Sequence, residues 1–135
     1  MNTRATQEKD SVSDVKLFRV RDLDLTPDDK GIVTAPVVNR RVSTGLGAGI
    51  GVFENCAIEW TVTYDEVLFI KDGNFTLRID GKAYRAGPGD ILWIPKDTPL
   101  VYEAKERVVF FYAIYPVDKS PSTSKTIEFP TAAPE

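Results

Sequence analysis

The chain contains no histidine, and it has a single cysteine and a single methionine. Without imidazole, neither a Ser-His-Asp nor a Cys-His catalytic arrangement can be built. The tight transition-metal sites that support redox or oxygenase chemistry lose their usual ligand. Cys56, standing alone, cannot form an internal disulfide, and it has no base to activate it as a nucleophile. No apolar run approaches the roughly 20 residues that span a bilayer. Seventeen basic against twenty acidic residues leave a net charge of −3, so there is no basic footprint for nucleic acid or an anionic membrane. The polar N-terminus lacks the apolar segment of a secretory signal. These absences point to a cytoplasmic protein with neither nucleic-acid nor membrane partners.

Helical periodicity is also missing, and what remains is strand and turn. An apolar fraction of 42% in 135 residues suffices for one domain with a real core. Asp72-Gly73-Asn74 and Asp80-Gly81-Lys82 read as hairpin turns. Between them Phe75, Leu77 and Ile79 alternate with polar residues, the period of a half-buried strand. Val67-Leu68-Phe69-Ile70 and Val108 to Tyr115 are continuous apolar runs that suit strands covered on both faces. Ile91-Leu92-Trp93-Ile94 stops at Pro95, which cannot donate to a ladder. The glycine run Thr44 to Gly51 has neither the G-K-[ST] ending of a phosphate loop nor a following helix, so it predicts a close-packed strand or barrel corner. Residues 1–14 are expected to form a flexible segment, 15–117 a β-barrel domain, and 118–135 a tail. Within that tail, Thr126 to Phe129 is a candidate short strand for the chain's own sheet or a partner's.

Two spaced motifs narrow the fold. Glu66 is followed by Gly73 in the pattern E-x6-G, and Gly89, Asp90 and Pro95 form G-D-x4-P. In this order the pair resembles the two halves of the cupin signature. The resemblance implies an all-β cupin barrel, a double-stranded β-helix or jelly roll, in a single domain. Cupins ordinarily hold a metal with three histidines and a glutamate. The histidine positions correspond here to Glu59, Thr61 and Leu100, leaving Glu66 alone. Neither a metal nor another cofactor is therefore expected. A narrower resemblance lies in Gly47-Ala48-Gly49, Glu54-Asn55, Trp60-Thr61, Tyr64-Asp65-Glu66, Ile94-Pro95-Lys96 and the closing Phe110-x-Tyr112-x3-Pro116. These segments are similar to the cupin domain of EutQ-type ethanolamine-utilisation proteins, which also lack the metal histidines. That resemblance implies a role in bacterial ethanolamine catabolism, where an acetate kinase activity has been attributed to the family.

The residues around Glu66 are acidic and aromatic. A lumenal glutamate without a metal must protonate, or pair with a cation or a hydroxyl. A carboxyl so perturbed suits general acid or base work, and an anionic, aromatic-lined cup suits a small amine through cation–π contact. The candidate catalytic residues are Glu66, Glu59 and Tyr64. The candidate ligand-binding residues are Glu54, Trp60, Thr61, Asp65, Trp93, Tyr102 and Tyr112. Glu59 and Thr61 share one face of their strand and Trp60 and Tyr64 the other; the cupin pattern assigns the lumen to Glu59 and Thr61. Three functions stay open: a metal-independent enzyme or accessory protein acting on a small polar metabolite, a non-catalytic binding module, and an interaction protein with a vestigial cup. A homodimer is expected, paired through edge strands.

Overall fold

The structure, a computed structural model, describes residues 14–117 and 125–127; the expected tail strand's Phe129 and most of the two terminal segments lie outside these residues. Ten strands follow in order: β1 (Ile32–Val38), β2 (Gly47–Phe53), β3 (Cys56–Thr61), β4 (Asp65–Asp72), β5 (Phe75–Ile79), β6 (Lys82–Ala86), β7 (Ile91–Ile94), β8 (Pro99–Ala104), β9 (Val108–Tyr115) and β10 (Lys125–Ile127). They form two five-stranded antiparallel sheets, ordered β1-β2-β9-β4-β7 and β10-β3-β8-β5-β6. The one helical element among the described residues is a single 3₁₀ turn at Val20–Asp22. This is an all-β cupin architecture.

Local chemistry explains the turns. Asp80 and Gly81 both adopt positive φ, 53° and 78°, as the two central residues of the tight β5–β6 hairpin. Gly73 bends the chain between β4 and β5 at a φ of 84°, where a Cβ would lie 2.2 Å from the Arg107 carbonyl oxygen. Any side chain there would collide with backbone that cannot retreat. β10 covers part of the expected tail strand and pairs with β3 of its own chain.

The core lies between the sheets and is built around aromatic rings. Phe53, Phe75 and Phe110 meet with centroids 4.9–6.0 Å apart, and Tyr102 stacks at 5.6 Å from Phe75 and 5.8 Å from Phe53. Such tilted and edge-on contacts add about 0.5–1.5 kcal/mol each beyond the area they bury. The glycine run provides room for these rings. β2 is buried along its whole length, and a Cβ on Gly51 would fall 2.3 Å from the Phe110 ring. At Gly49 a Cβ would meet the Ala35 carbonyl oxygen at 2.5 Å and the Tyr112 hydroxyl at 2.7 Å. The glycines are thus a close-packed strand, as the missing phosphate-loop features imply.

The two sheets differ on their outer faces. The second sheet turns out Ala57, Glu59, Thr76, Arg78, Val101 and Glu103, with Arg78 Nε donating to Glu103 Oε2 at 2.9 Å. The first sheet turns out one rung of Ala35, Ile50, Phe111, Phe69 and Ile91, and a second of Val38, Ala48, Ala113, Val67 and Trp93. Both rungs are apolar across all five strands. The continuous apolar runs of β4 and β9 arise from this: alternate residues enter the core, and the others form the outer rungs.

Replacing Gly51 with Ala should destabilise the fold by about 1–3 kcal/mol in urea unfolding, the usual cost of overpacking a tight core. In a double-mutant cycle, Phe110→Leu should recover part of that loss by removing the ring the new methyl strikes. Strictly additive costs would show that Phe110 is not what the glycine accommodates.

Candidate functional site

Strand parity decides which side chains meet. β3 and the turn after it direct Trp60, Val62 and Tyr64 inward, while Glu59 is exposed on the outer face, where it sits opposite Val101. The expectation that Glu59 and Thr61 line the lumen is corrected here. A shift of one residue moves every side chain to the opposite face, and the apolar set is the one that takes the core. Leu100 stands opposite Trp60 and is buried beside it.

Glu66 on β4 is inward and 6% exposed, directly between Ile94 on β7 and Ile114 on β9. The Tyr102 hydroxyl donates to its Oε1 at 2.7 Å, its single hydrogen-bond partner among the described residues. Glu66 and Tyr102 form part of the wall of a cavity of about 360 Å³, together with Trp60, Tyr64, Tyr112, Leu68 and Phe110. That volume lies at the small end of the range for ligand pockets, about 300–1,000 Å³. Trp60 bridges the rings, edge-on to Tyr64 at 5.7 Å and tilted against Tyr102 at 5.9 Å. A neighbouring cavity of about 280 Å³ shares Thr34, Phe53, Trp60 and Tyr102 with the first and is also lined by Lys30 and Thr126.

Burial governs the electrostatics. Removal from water pushes the Glu66 carboxyl up from its ordinary 4.5 to about 7, and the Tyr102 hydrogen bond opposes this only in part. Burial, followed by the nearby Glu66 charge, raises Tyr112 to about 12 and holds Tyr64 and Tyr102 well above the usual phenol range. The three phenols therefore keep their protons at neutral pH and can act as donors. The carboxyl is poised to gain or lose its proton there.

Other expected site residues lie elsewhere. Glu54 is in the exposed β2–β3 connection, 3.8 Å from Arg107. Asp65 accepts the Lys96 backbone N–H at 3.0 Å, a turn-fixing role. Trp93 is 60% exposed on the outer face of edge strand β7. Thr61 shares the side of Glu59. Of the expected residues, the fold brings together Glu66, Tyr64, Trp60, Tyr102 and Tyr112. Sequence reading of the site missed Phe53, Leu68, Ile114 and Thr34; for the first three the signal was strand parity, and for Thr34 there was none.

The cupin fold implies a metal, and the residues present do not fit one. Among the described residues no three His, Cys, Asp or Glu side chains come together. The cavity around Glu66 is lined by Trp60, Tyr64, Leu68, Tyr102, Phe110 and Tyr112, which supply neither an imidazole nor a second carboxylate.

A family model, "Ethanolamine utilisation protein EutQ", matches residues 4–121. The chain belongs to the EutQ family. Its sequence is 28% identical over 104 residues to the acetate kinase EutQ of Clostridioides difficile, covering 77% of this chain and 66% of that protein. Two further curated EutQ relatives are matched over only 32% and 36% of their lengths. In fold, the chain is similar to the solved Clostridium difficile EutQ protein, with a TM-score of 0.70 at 24% identity over 76% of this chain and 88% of that one. It is also similar to an RmlC-like cupin with a double-stranded β-helix from Methanocaldococcus jannaschii. That match has a TM-score of 0.57 at 18% identity, over 70% of this chain and 88% of the other.

The buried carboxyl of this EutQ-family chain has a measurable signature. Its folded-state pKa, about 7, lies above the unfolded value of 4.5, so the folded state holds the proton more tightly. The stabilisation is fully present below about pH 4.5 and is lost as pH rises to about 7, a change of about 3 kcal/mol. Glu66→Gln should abolish that slope and be the more stable protein at pH 8. Parallel urea unfolding curves for the two proteins between pH 4.5 and 8 would expose a Glu66 that titrates normally.

Proposed function

We propose that the chain is a metal-independent small cupin that binds, or acts on, a small polar metabolite in its barrel, in bacterial catabolism of the ethanolamine or related amine type. The observation that carries this reading is the buried Glu66 carboxyl, with one hydrogen bond from Tyr102, at the wall of an aromatic-lined cavity. An ammonium group entering beside Glu66 meets one negative charge in a low-dielectric site and the faces of Trp60 and Tyr64. A desolvated cation–π contact contributes about 2 kcal/mol, in addition to the charge pairing. Tyr102 and Tyr112 supply hydroxyls to a polar ligand.

A catalytic role rests on the same atoms. With a pKa of about 7, Glu66 can accept a proton from a bound ligand and return it, which is where a general acid–base is most effective. Tyr64 is the second group within reach of the same cavity. A non-catalytic binding module needs only the charge and the shape, so turnover of a bound ligand separates the two.

The acetate kinase activity named for the relatives requires a cradle for nucleotide phosphates. The glycine-rich segment that resembles one is the buried strand β2, with no helix after it. That favours the cup, rather than a phosphate loop, as the working part of this chain. The reading places the protein in the cytoplasm, in keeping with the buried free Cys56, and includes pairing with a second copy.

Thermal-shift measurements with small primary amines, hydroxy-amines and carboxylates test it. At pH 8, where Glu66 is ionised, a cationic ligand at about 100 times its dissociation constant should stabilise by about 2.7 kcal/mol, several degrees in Tm. At pH 5.5 the shift should shrink, and Glu66→Gln should remove it. Stabilisation by acids alone, or by amines equally well in Glu66→Gln, would refute the cationic reading.

A further inference from the structure

The two neighbouring cavities carry one charged side chain each, and the charges are opposite in sign. Glu66 is the charged group in the wall of the larger cavity, and Lys30 in the wall of the smaller. Among the described residues neither has an ion-pair partner. Trp60 and Tyr102 line both cavities, and the Tyr102 hydroxyl touches Glu66, so a wall one side chain thick separates the carboxyl from the smaller cavity. Thr34, exposed on edge strand β1, also belongs to both, and Thr126 of β10 brings a second hydroxyl-bearing side chain to the cavity of Lys30. The lysine stands on a fixed turn. Asp28 Oδ1 accepts the backbone N–H groups of Lys30 and Ile32 at 2.9 and 3.0 Å, and the Gly31 carbonyl accepts the Glu54 N–H at 2.8 Å. Gly31 has a φ of 87°, and a Cβ there would collide with the Glu54 carbonyl oxygen, so the turn lies directly against the β2–β3 connection.

We propose that the ligand of the cup is a long-chain zwitterion of the ω-amino acid class, its ammonium beside Glu66 and its carboxylate held by Lys30 with Thr34 and Thr126. This deepens the cationic reading above and rests on it. A carboxylate is acceptor-only, and the smaller cavity offers it an ammonium and two hydroxyls, with no acid in the wall to repel it. A simple amine uses only half of this arrangement. Spacing selects the ligand further. Two groups in contact with opposite sides of an aromatic side chain lie at least about 7 Å apart, twice the usual contact distance of about 3.5 Å. An α-amino acid carries both charges on one carbon and cannot reach across. A chain of about five methylenes, with bonds of about 1.5 Å, can do so. Its apolar middle then lies against Trp60 and Phe53, which line both cavities. The ligand enters ammonium first, because Glu66 is buried and Lys30 is exposed.

Titration calorimetry of the full chain at pH 8, where Glu66 is ionised, tests this with three probes. They are 6-aminohexanoate, 6-amino-1-hexanol (the same chain and ammonium without the anion) and glycine. The wild type should bind 6-aminohexanoate about fivefold more tightly than the amino alcohol, the upper end for an ion pair at an exposed lysine, and glycine more weakly than either. Lys30→Gln, at an exposed turn position, should abolish that preference and leave the dissociation constant of the amino alcohol unchanged. Lys30→Glu should reverse the selectivity, so that 1,6-diaminohexane binds more tightly than 6-aminohexanoate. Equal affinity for 6-aminohexanoate and the amino alcohol, or a preference that survives Lys30→Gln, would overturn the zwitterion while leaving the amine reading intact. Glycine binding as tightly as 6-aminohexanoate would overturn the spacing. A wild type that binds none of the probes would overturn the amine reading itself, and this proposal with it.

Discussion

The rings of Phe53, Phe75, Tyr102 and Phe110 hold the two sheets together, and the rest of the molecule is arranged around that cluster. Side chains of this size interdigitate only where the opposing backbone retreats. β2 meets that demand with glycine at alternate inward positions, so that Phe110 and Tyr112 lie against bare backbone. The same bulk keeps the sheets apart beyond the cluster, where Trp60, Tyr64 and Tyr112 line a cavity instead of filling it. Close packing on one side and open space on the other are two consequences of one choice of residues.

Glu66 is placed where this arrangement makes it expensive. A carboxylate loses its hydration on entering the core, and a single phenol hydrogen bond does not replace it. The raised pKa is the result, and it puts the proton's departure in the physiological range. The surrounding tyrosines remain protonated for the same reason of burial, so a neutral-pH cup holds hydroxyl donors around one titrating acid. A polar ligand entering it changes the balance of that one group more than any other.

The outer faces of the sheets follow different rules from the core they share. One carries the Arg78–Glu103 ion pair, with Glu103 buried, among Ala57, Thr76 and Val101; the other continues the apolar character of the interior outward. Both faces of β4 and β9 are apolar: their inward residues fill the core, and on the outer side Phe69 and Phe111 stay partly exposed beside the buried Ile50 of β2. This asymmetry accounts for runs such as Val67 to Ile70 and Val108 to Tyr115 without any appeal to the ligand.

The sequence by itself determined the strand class, the hairpins at Gly73 and Asp80-Gly81, the end of β7 at Pro95 and the family, because turn chemistry and a period of two are local properties. It also singled out Glu66, Trp60, Tyr64, Tyr102 and Tyr112. Which face of β3 points inward was decided only by the tertiary structure. Glu59 and Trp60 are neighbours on opposite faces, and register is set by pairing with β8, some 40 positions along the chain. Glu54, Asp65 and Trp93 were named for their chemistry, yet their places depend on a connection, a turn and an edge that no spacing encodes. An apolar run states that both its faces want burial, and only the assembled sheets show what each face packs against.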